Sequence, residues 1–225
     1  MELILLRHGQ STTNRLLAEV QDEREVDTGP QDSTLTRLGR RQADLAGKAL
    51  SREYIDMIIS SPARRTLETT RRVVRCIDAL PMVDPRVVEF RGVGAAPAAS
   101  GEELRAMYPG FSFGTEFDNE IAWNMGYLNE SKEDLYRRAR GLWQELLLPR
   151  AHSDIGRESR VLVVTHRMFS AYLTGVALGM TLEQVQTGRF QLGNCASTRF
   201  EVRSNGVVMV VHANREDYLH GRVSA

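Results

Sequence analysis

The chain has 225 residues, of which 42% are hydrophobic, so it is long enough to bury a sizeable core in one domain. Its 29 basic and 29 acidic residues cancel, which excludes a global electrostatic attraction to nucleic acid or to an anionic membrane. The two cysteines lack disulfide-framework spacing, and the apolar opening is too short for a signal peptide or a membrane span. We expect one cytoplasmic domain over residues 1–225, without nucleic-acid or membrane partners.

The first half of the chain alternates predicted strands and helices. Ser61 followed by Pro62 has the pattern of a helix N-cap and a first helical residue, so we expect a helix from there towards Ile77. The other predicted elements are a buried strand at residues 3–6, an amphipathic helix at about 36–52, a strand at 56–60 and a weaker extended segment at 83–89.

The second half begins with an irregular segment. Residues 92–129 are rich in Gly, Pro and Ala and lack periodicity, so we expect an insertion or lid with short helices. The helix predicted around residues 135–147 should end before Pro149. The remaining predicted elements are a strand at 161–164, a helix at about 168–178, and a hairpin of 196–202 with 207–211.

This alternation predicts an α/β fold, a three-layer α/β/α sandwich with a mostly parallel central sheet. Ligands of such sheets bind beyond the carboxyl ends of the strands. Arg7 and His8 follow the first predicted strand, residues 60–65 follow the second, and His166 follows the strand at 161–164. We therefore expect these side chains to meet at one edge of the sheet.

The strongest motif is Leu6-Arg7-His8-Gly9, followed by Ser11 and Asn14. It is similar to the LxRHGxTxxN signature of the histidine phosphatase superfamily, which is also called phosphoglycerate mutase-like. Further blocks resemble that family in its order, at residues 35–43, 60–69, 130–138 and 163–166, so that the resemblance covers roughly residues 3–200. It implies a phosphoglycerate mutase-like fold, chemistry through phosphohistidine without a cofactor, and a possible homodimer.

The resemblance also implies roles for the residues that match. A phosphomonoester is dianionic, so cations must neutralise its oxygens before a nucleophile can approach phosphorus. Arg7 and Arg65 are expected to do so, and to lower the pKa of the nucleophile His8. His166 would share the phosphoryl charge, and Glu89 would act as general acid and then as general base.

Residues next to the RHG motif are candidate substrate contacts. Gln10, Ser11 and Asn14 are predicted to bind substrate, although Asn14 could instead hold the loop. Gln10 stands where the family commonly has Glu, which removes a negative charge. Arg167 stands where the family commonly has Gly after the second histidine. It is either a surface residue or a third guanidinium near the phosphate.

Two assignments have competitors nearby in the sequence. Arg64 adjoins Arg65, and the spacing to Thr69 favours Arg65. The acidic residues that compete with Glu89 are Glu102, Glu103, Glu116 and Glu120. No cluster of His, Asp or Glu has metal-ligand spacing, so we expect no metal.

The predicted function is metal-independent hydrolysis of a small phosphorylated metabolite. The alternatives are mutase-type phosphoryl transfer and a non-catalytic phosphoryl-binding module. Residues 14–35 are rich in acids and lack the contacts that the family's mutases place after RHG, which favours hydrolysis. A binding module would need a broken catalytic position, and Arg167 removes no chemical group.

Overall fold

The structure is a computed structural model that describes residues 1–19, 32–90, 98–124, 129–153, 158–188 and 190–224. Its strands are β1 (Glu2–Arg7), β2 (Met57–Ser60), β3 (Pro81–Val83), β4 (Ser112–Phe113), β5 (Arg160–Thr165), β6 (Ser197–Val202) and β7 (Val208–Arg215). Its helices are α1 (Thr12–Glu19), α2 (Arg37–Leu50), α3 (Arg64–Val73), α4 (Gly101–Met107), α5 (Lys132–Leu142), α6 (Leu148–His152), α7 (Arg167–Ala177) and α8 (Leu182–Thr187).

The described strands form one seven-stranded sheet in the order β4-β3-β2-β5-β1-β6-β7. The five strands from β4 to β1 run parallel, and β6 and β7 are antiparallel. The predicted α/β fold with a mostly parallel sheet is therefore confirmed. No helix of the described residues is both long and apolar enough to cross a membrane.

Strand β1 is apolar throughout because both of its faces are covered. Leu3 and Leu5 pack with α5 and α7 in one core, whereas Ile4 and Leu6 pack with α2 and α3 in the other. Successive side chains of a strand point to opposite faces, so a central strand between two helical layers needs apolar residues at every position. This packing produces the three layers.

The register of the parallel strands aligns their carboxyl ends. Arg7 in β1 pairs with Thr165 in β5, and Ser60 in β2 pairs with Val164 in β5. The residues that follow these three strands therefore emerge at the same level, on the same edge of the sheet. This register is what brings the candidate site residues together.

The predicted start of the third helix is wrong. Helix α3 begins at Arg64 with Ala63 as its N-cap, and Ser61 lies in the loop before it. The hydroxyl of Ser61 is instead hydrogen-bonded to His166, 105 residues away in the sequence. A tertiary contact has overridden the local capping preference.

The predicted stop before Pro149 is also wrong. Helix α5 continues through a π-helical turn, Trp143–Leu147, into α6, which contains Pro149 in its first turn. Proline lacks the N–H that would continue the hydrogen-bond ladder, and it stands where the pattern changes from π-helical to α-helical. The extended segment expected at 83–89 is displaced, since β3 ends at Val83 and a 3₁₀ turn occupies Pro85–Val87.

Residues 98–124 pack onto the domain beside α3. Leu104, Tyr108, Phe117 and Trp123 form a buried cluster with Leu67 of α3, and β4 extends the main sheet at its edge. The predicted lid also includes residues 92–97 and 125–128, which lie outside the described residues. A lid function for this segment stays a prediction.

Candidate active site

The loop after β1 is pressed against the first turn of α2. A Cβ atom on Gly9 would lie 2.4 Å from the carbonyl oxygen of Gly39, and one on Gly39 would lie 2.1 Å from that of Gln10. The N–H of Gly9 donates to Thr69 Oγ1 at 3.1 Å. Only glycine at both positions allows this close backbone contact, which fixes the height of the loop above the sheet.

Polar side chains hold the same loop from the other side. Asn194 Nδ2 donates to the carbonyl oxygen of His8 at 3.1 Å and to Asn14 Oδ1 at 3.2 Å. Ser11 donates to Asn14 Oδ1 through its N–H and its hydroxyl, and Gln10 Oε1 accepts from the hydroxyl of Thr36. These contacts of Gln10, Ser11 and Asn14 are with the loop and with α2, so substrate binding by them stays a prediction.

The contacts of His8 determine which of its ring nitrogens carries the proton. Nδ1 lies 2.8 Å from the carbonyl oxygen of Gly9, and Arg65 Nε donates to Nε2 at 3.2 Å. An arginine can only donate, so Nε2 must offer its lone pair and Nδ1 must carry the hydrogen. The ring therefore presents an unprotonated Nε2, the form that can attack phosphorus.

His166 lies beside His8, with ring centroids 5.2 Å apart and the planes inclined at 62°. Its Nε2 is 2.8 Å from Ser61 Oγ, and its buried Nδ1 has no hydrogen-bond partner among the described residues. A buried ring nitrogen without a partner is uncommon in folded proteins. A phosphoryl oxygen would supply the missing partner.

Both histidines are held in the uncharged form. Burial lowers the pKa of His8 well below its ordinary value, and the neighbouring Arg65 and Arg7 lower it further. Burial is also the main cause of the lowered pKa of His166, followed by the charge of Arg65. At neutral pH the site therefore contains two neutral imidazoles next to two guanidinium groups.

Arg7 is a buried cation with spare hydrogen-bonding capacity. Its side chain is almost fully enclosed, its Nη1 donates to the carbonyl oxygen of Leu192 at 2.8 Å, and its Nε has no partner among the described residues. Burial lowers its pKa to about 10, so it stays charged at neutral pH. A charged guanidinium with an unpaired N–H is suited to bind an oxyanion.

Glu89 lies at the start of α7, within the electrostatic reach of both arginines. Its carboxylate accepts from the N–H groups of Phe90, Met168 and Phe169 at 3.0 to 3.2 Å. Its negative charge raises the pKa of Arg7 and of Arg65. The four competing acidic residues between 102 and 120 are all exposed.

A buried ion pair supports the segment that carries Glu89. Arg138 donates from Nε and Nη2 to the two carboxylate oxygens of Glu130, each at 2.7 Å. Its Nη1 donates to the carbonyl oxygens of Arg86 and Val88. The pair thus fixes the backbone immediately before Glu89.

The structure distinguishes the two neighbouring arginines of α3. The side chain of Arg65 contacts His8, whereas the backbone N–H of Arg64 donates to Asp32 Oδ1 at 2.7 Å. Arg167 is the first residue of α7 and is exposed, and its charge lowers the pKa of Arg7. Arg167 is therefore a surface residue that also adds positive potential at the site.

Three residues that position the histidines were not among the predicted site residues. Ser61 and Thr69 belong to the block that resembles the family, but their partners lie far away in the sequence. Asn194 belongs to no quoted motif, and nothing in the sequence pointed to its contact with His8. Within the described residues there is no group of three or more His, Cys, Asp or Glu that could hold a metal ion.

The chain is similar to known proteins over most of its length. The family model of the histidine phosphatase superfamily (branch 1) matches residues 3–215. The chain is 29% identical over 147 residues to phosphoserine phosphatase 1 of Hydrogenobacter thermophilus, a match that covers 65% of this chain and 64% of that relative. It is 28% identical over 201 residues to a 2,3-bisphosphoglycerate-dependent phosphoglycerate mutase of Methylobacterium radiotolerans, covering 85% of each chain.

A solved structure is similar over almost the whole length. The native structure of a mycobacterial glucosyl-3-phosphoglycerate phosphatase superposes with a TM-score of 0.66 and 24% sequence identity, covering 96% of this chain and 99% of that one. At this identity the likeness supports the shared fold.

Proposed function

Because the chain belongs to the histidine phosphatase superfamily, we propose that it is a phosphatase that hydrolyses a small phosphomonoester through a phosphohistidine at His8. The observation that carries the proposal is the donation from Arg65 Nε to His8 Nε2, which requires a free lone pair on that nitrogen. A buried imidazole without a catalytic role needs no guanidinium on its unprotonated face.

The phosphoryl group would be held by Arg7, Arg65 and His166. Arg7 Nε and His166 Nδ1 are both buried and lack partners among the described residues, so each can donate to a phosphoryl oxygen. Arg65 would exchange its hydrogen bond to the His8 imidazole for one to the phosphoryl dianion when substrate binds. These donors neutralise the charge that would otherwise repel the nucleophile.

The first chemical step transfers the phosphoryl group to the protein. His8 Nε2 forms a bond to phosphorus as the bond from phosphorus to the alcohol oxygen breaks, and Glu89 gives its proton to the departing alcohol. Proton donation needs Glu89 to be protonated when substrate is bound.

The second step regenerates the site with water. Glu89, now a carboxylate, takes a proton from a water molecule whose oxygen attacks phosphorus, and the bond from phosphorus to His8 Nε2 breaks. Inorganic phosphate leaves, Glu89 is protonated again, and His8 recovers its lone pair. The names of two relatives, both phosphatases of small metabolites, support hydrolysis, whereas the mutase relative supports phosphoryl transfer as the alternative.

The test measures hydrolysis of an aryl phosphate and an alkyl phosphate in chelator, together with trapping of the intermediate. We expect activity without added metal and an acid-labile phosphoryl adduct that His8→Ala does not form. Glu89→Gln should reduce turnover of the alkyl ester by about 10²–10⁴-fold and that of the aryl ester far less, since a phenolate leaves without protonation. Loss of activity in chelator, or an acid-stable adduct, would refute the mechanism.

A further inference from the structure

A groove runs along the outer side of α7, between that helix and the antiparallel strands β6 and β7. Its volume is about 290 Å³. Arg167, Ala171 and Thr174 of α7 line it, together with Leu178 directly after the helix. They recur at helical spacing and so form one stripe along α7. We call this space, between that stripe and the facing side chains of β6 and β7, the flank groove.

Apart from the end at Arg167, which we call its upper end, the flank groove is mainly apolar. Phe200 and Val210, which pair across β6 and β7, line it on the side of the sheet, and Phe190 and Leu192 line it as well. Ser170 also lines it, and its buried hydroxyl has no hydrogen-bond partner in the part of the chain that the structure describes. An unpaired buried hydroxyl beside an apolar space is consistent with a ligand that contacts it.

The upper end of the flank groove adjoins the phosphoryl-binding site. Leu192 lines the groove, and its carbonyl oxygen accepts the hydrogen bond from Arg7 Nη1 at 2.8 Å. Arg167 lines the groove as well, and its charge acts on Arg7. Leu192 and Arg167 therefore lie next to both the entrance of the groove and Arg7, the guanidinium that would hold the phosphate.

The proposed reaction directs the alcohol part of the substrate towards this entrance. In an in-line displacement the leaving oxygen lies opposite His8 Nε2, where Glu89 would protonate it. Glu89 is bonded to the N–H groups of Met168 and Phe169, in the first turn of α7. The leaving alcohol thus emerges at the first turn of α7, the end at which Arg167 opens the groove.

We propose that the flank groove binds the alcohol moiety of the substrate, and that the substrate is a phosphomonoester with a short apolar arm. The proposal rests on the proposed function for the identity of the reacting group. The volume of about 290 Å³ lies at the small end of the range of ligand pockets, which suits a short arm. Arg167 lines the groove at the start of α7, where its stem can cover the arm while its charge adds positive potential at the site.

The experiment measures kcat/KM for linear alkyl phosphates from methyl to octyl with the full chain. We expect kcat/KM to rise by roughly threefold for each added methylene until the groove is filled. Ala171→Phe, which places a ring in the groove from a half-buried helical position, should abolish this rise with chain length. Ala49→Phe is the matched control, because Ala49 is half-buried in α2 and lines a different cavity.

Binding of non-hydrolysable alkylphosphonates separates this proposal from the proposed function. Octylphosphonate should bind at least a hundredfold more tightly than methylphosphonate, and Ala171→Phe should remove the difference even if no ester is turned over. Equal affinity for the two phosphonates, or an equal gain in the Ala171→Phe variant, would overturn the proposal. A change of oligomeric state in Ala171→Phe without a change in chain-length dependence would assign the groove to a second copy of the chain and would also overturn it.

Discussion

The two site histidines should make the stability of the protein depend on pH in a defined way. His8 and His166 have folded-state pKa values well below 6.5, whereas an unfolded chain titrates them near 6.5. Below that pH the unfolded state binds protons that the folded state does not. Stability therefore falls as the pH falls through 6.5, and continues to fall until the folded-state pKa values are reached.

The magnitude follows from proton linkage. Between pH 7 and pH 5, each histidine that stays neutral in the folded state costs about 2 kcal/mol of unfolding free energy, so the pair costs about 4 kcal/mol. Other titrating groups, such as Glu2 and His212, act in any variant that retains them. They cancel when the change in free energy is compared between proteins.

The assay is urea denaturation at pH 7, 6 and 5, in buffer free of phosphate because a bound dianion would raise both pKa values. The double variant His8→Gln/His166→Gln should lose about 4 kcal/mol less than the natural protein over this range. His152→Gln, which removes an exposed histidine of α6, should behave like the natural protein. An equal loss in the natural protein and the double variant would show that the histidines are solvated and charged, and would refute the reasoning.

Two further predictions concern packing around the site. Gly39→Ala should destabilise the protein by about 3 kcal/mol and lower kcat, because the added Cβ would lie 2.1 Å from the Gln10 carbonyl oxygen. The control is Gly141→Ala, whose added Cβ would have Glu145 Oε1 at 3.7 Å as its nearest neighbour. It should be neutral or stabilising in the same urea titration. Arg138→Met should lower the free energy of unfolding by about 3–5 kcal/mol, because it leaves the buried Glu130 carboxylate without its ion-pair partner. Adding Glu130→Leu should recover most of this loss. A loss under about 1 kcal/mol in the single variant, by thermal or urea unfolding, would contradict the prediction.

The sequence by itself determined the architecture and the centre of the site. The apolar run of β1 predicts a central parallel strand, because such a strand is buried on both faces. The polar residues that follow it, Arg7 and His8, are then expected at the carboxyl end of the sheet, where ligands bind. The same argument places His166 after β5. These predictions rest on local patterns. The parallel register of β1 and β5 then brings the residues that follow the two strands to the same level.

Only the tertiary structure decided how the histidines are oriented and what surrounds them. Ser61 reads as a helix cap in the sequence, yet its hydroxyl is bonded to His166, and Asn194 holds the carbonyl oxygen of His8 from 186 residues away. The groove that Arg167 lines exists only because β6 and β7, antiparallel additions at the end of the chain, lie beside α7. Such contacts join residues whose spacing along the chain carries no periodic signal, so packing alone determines them.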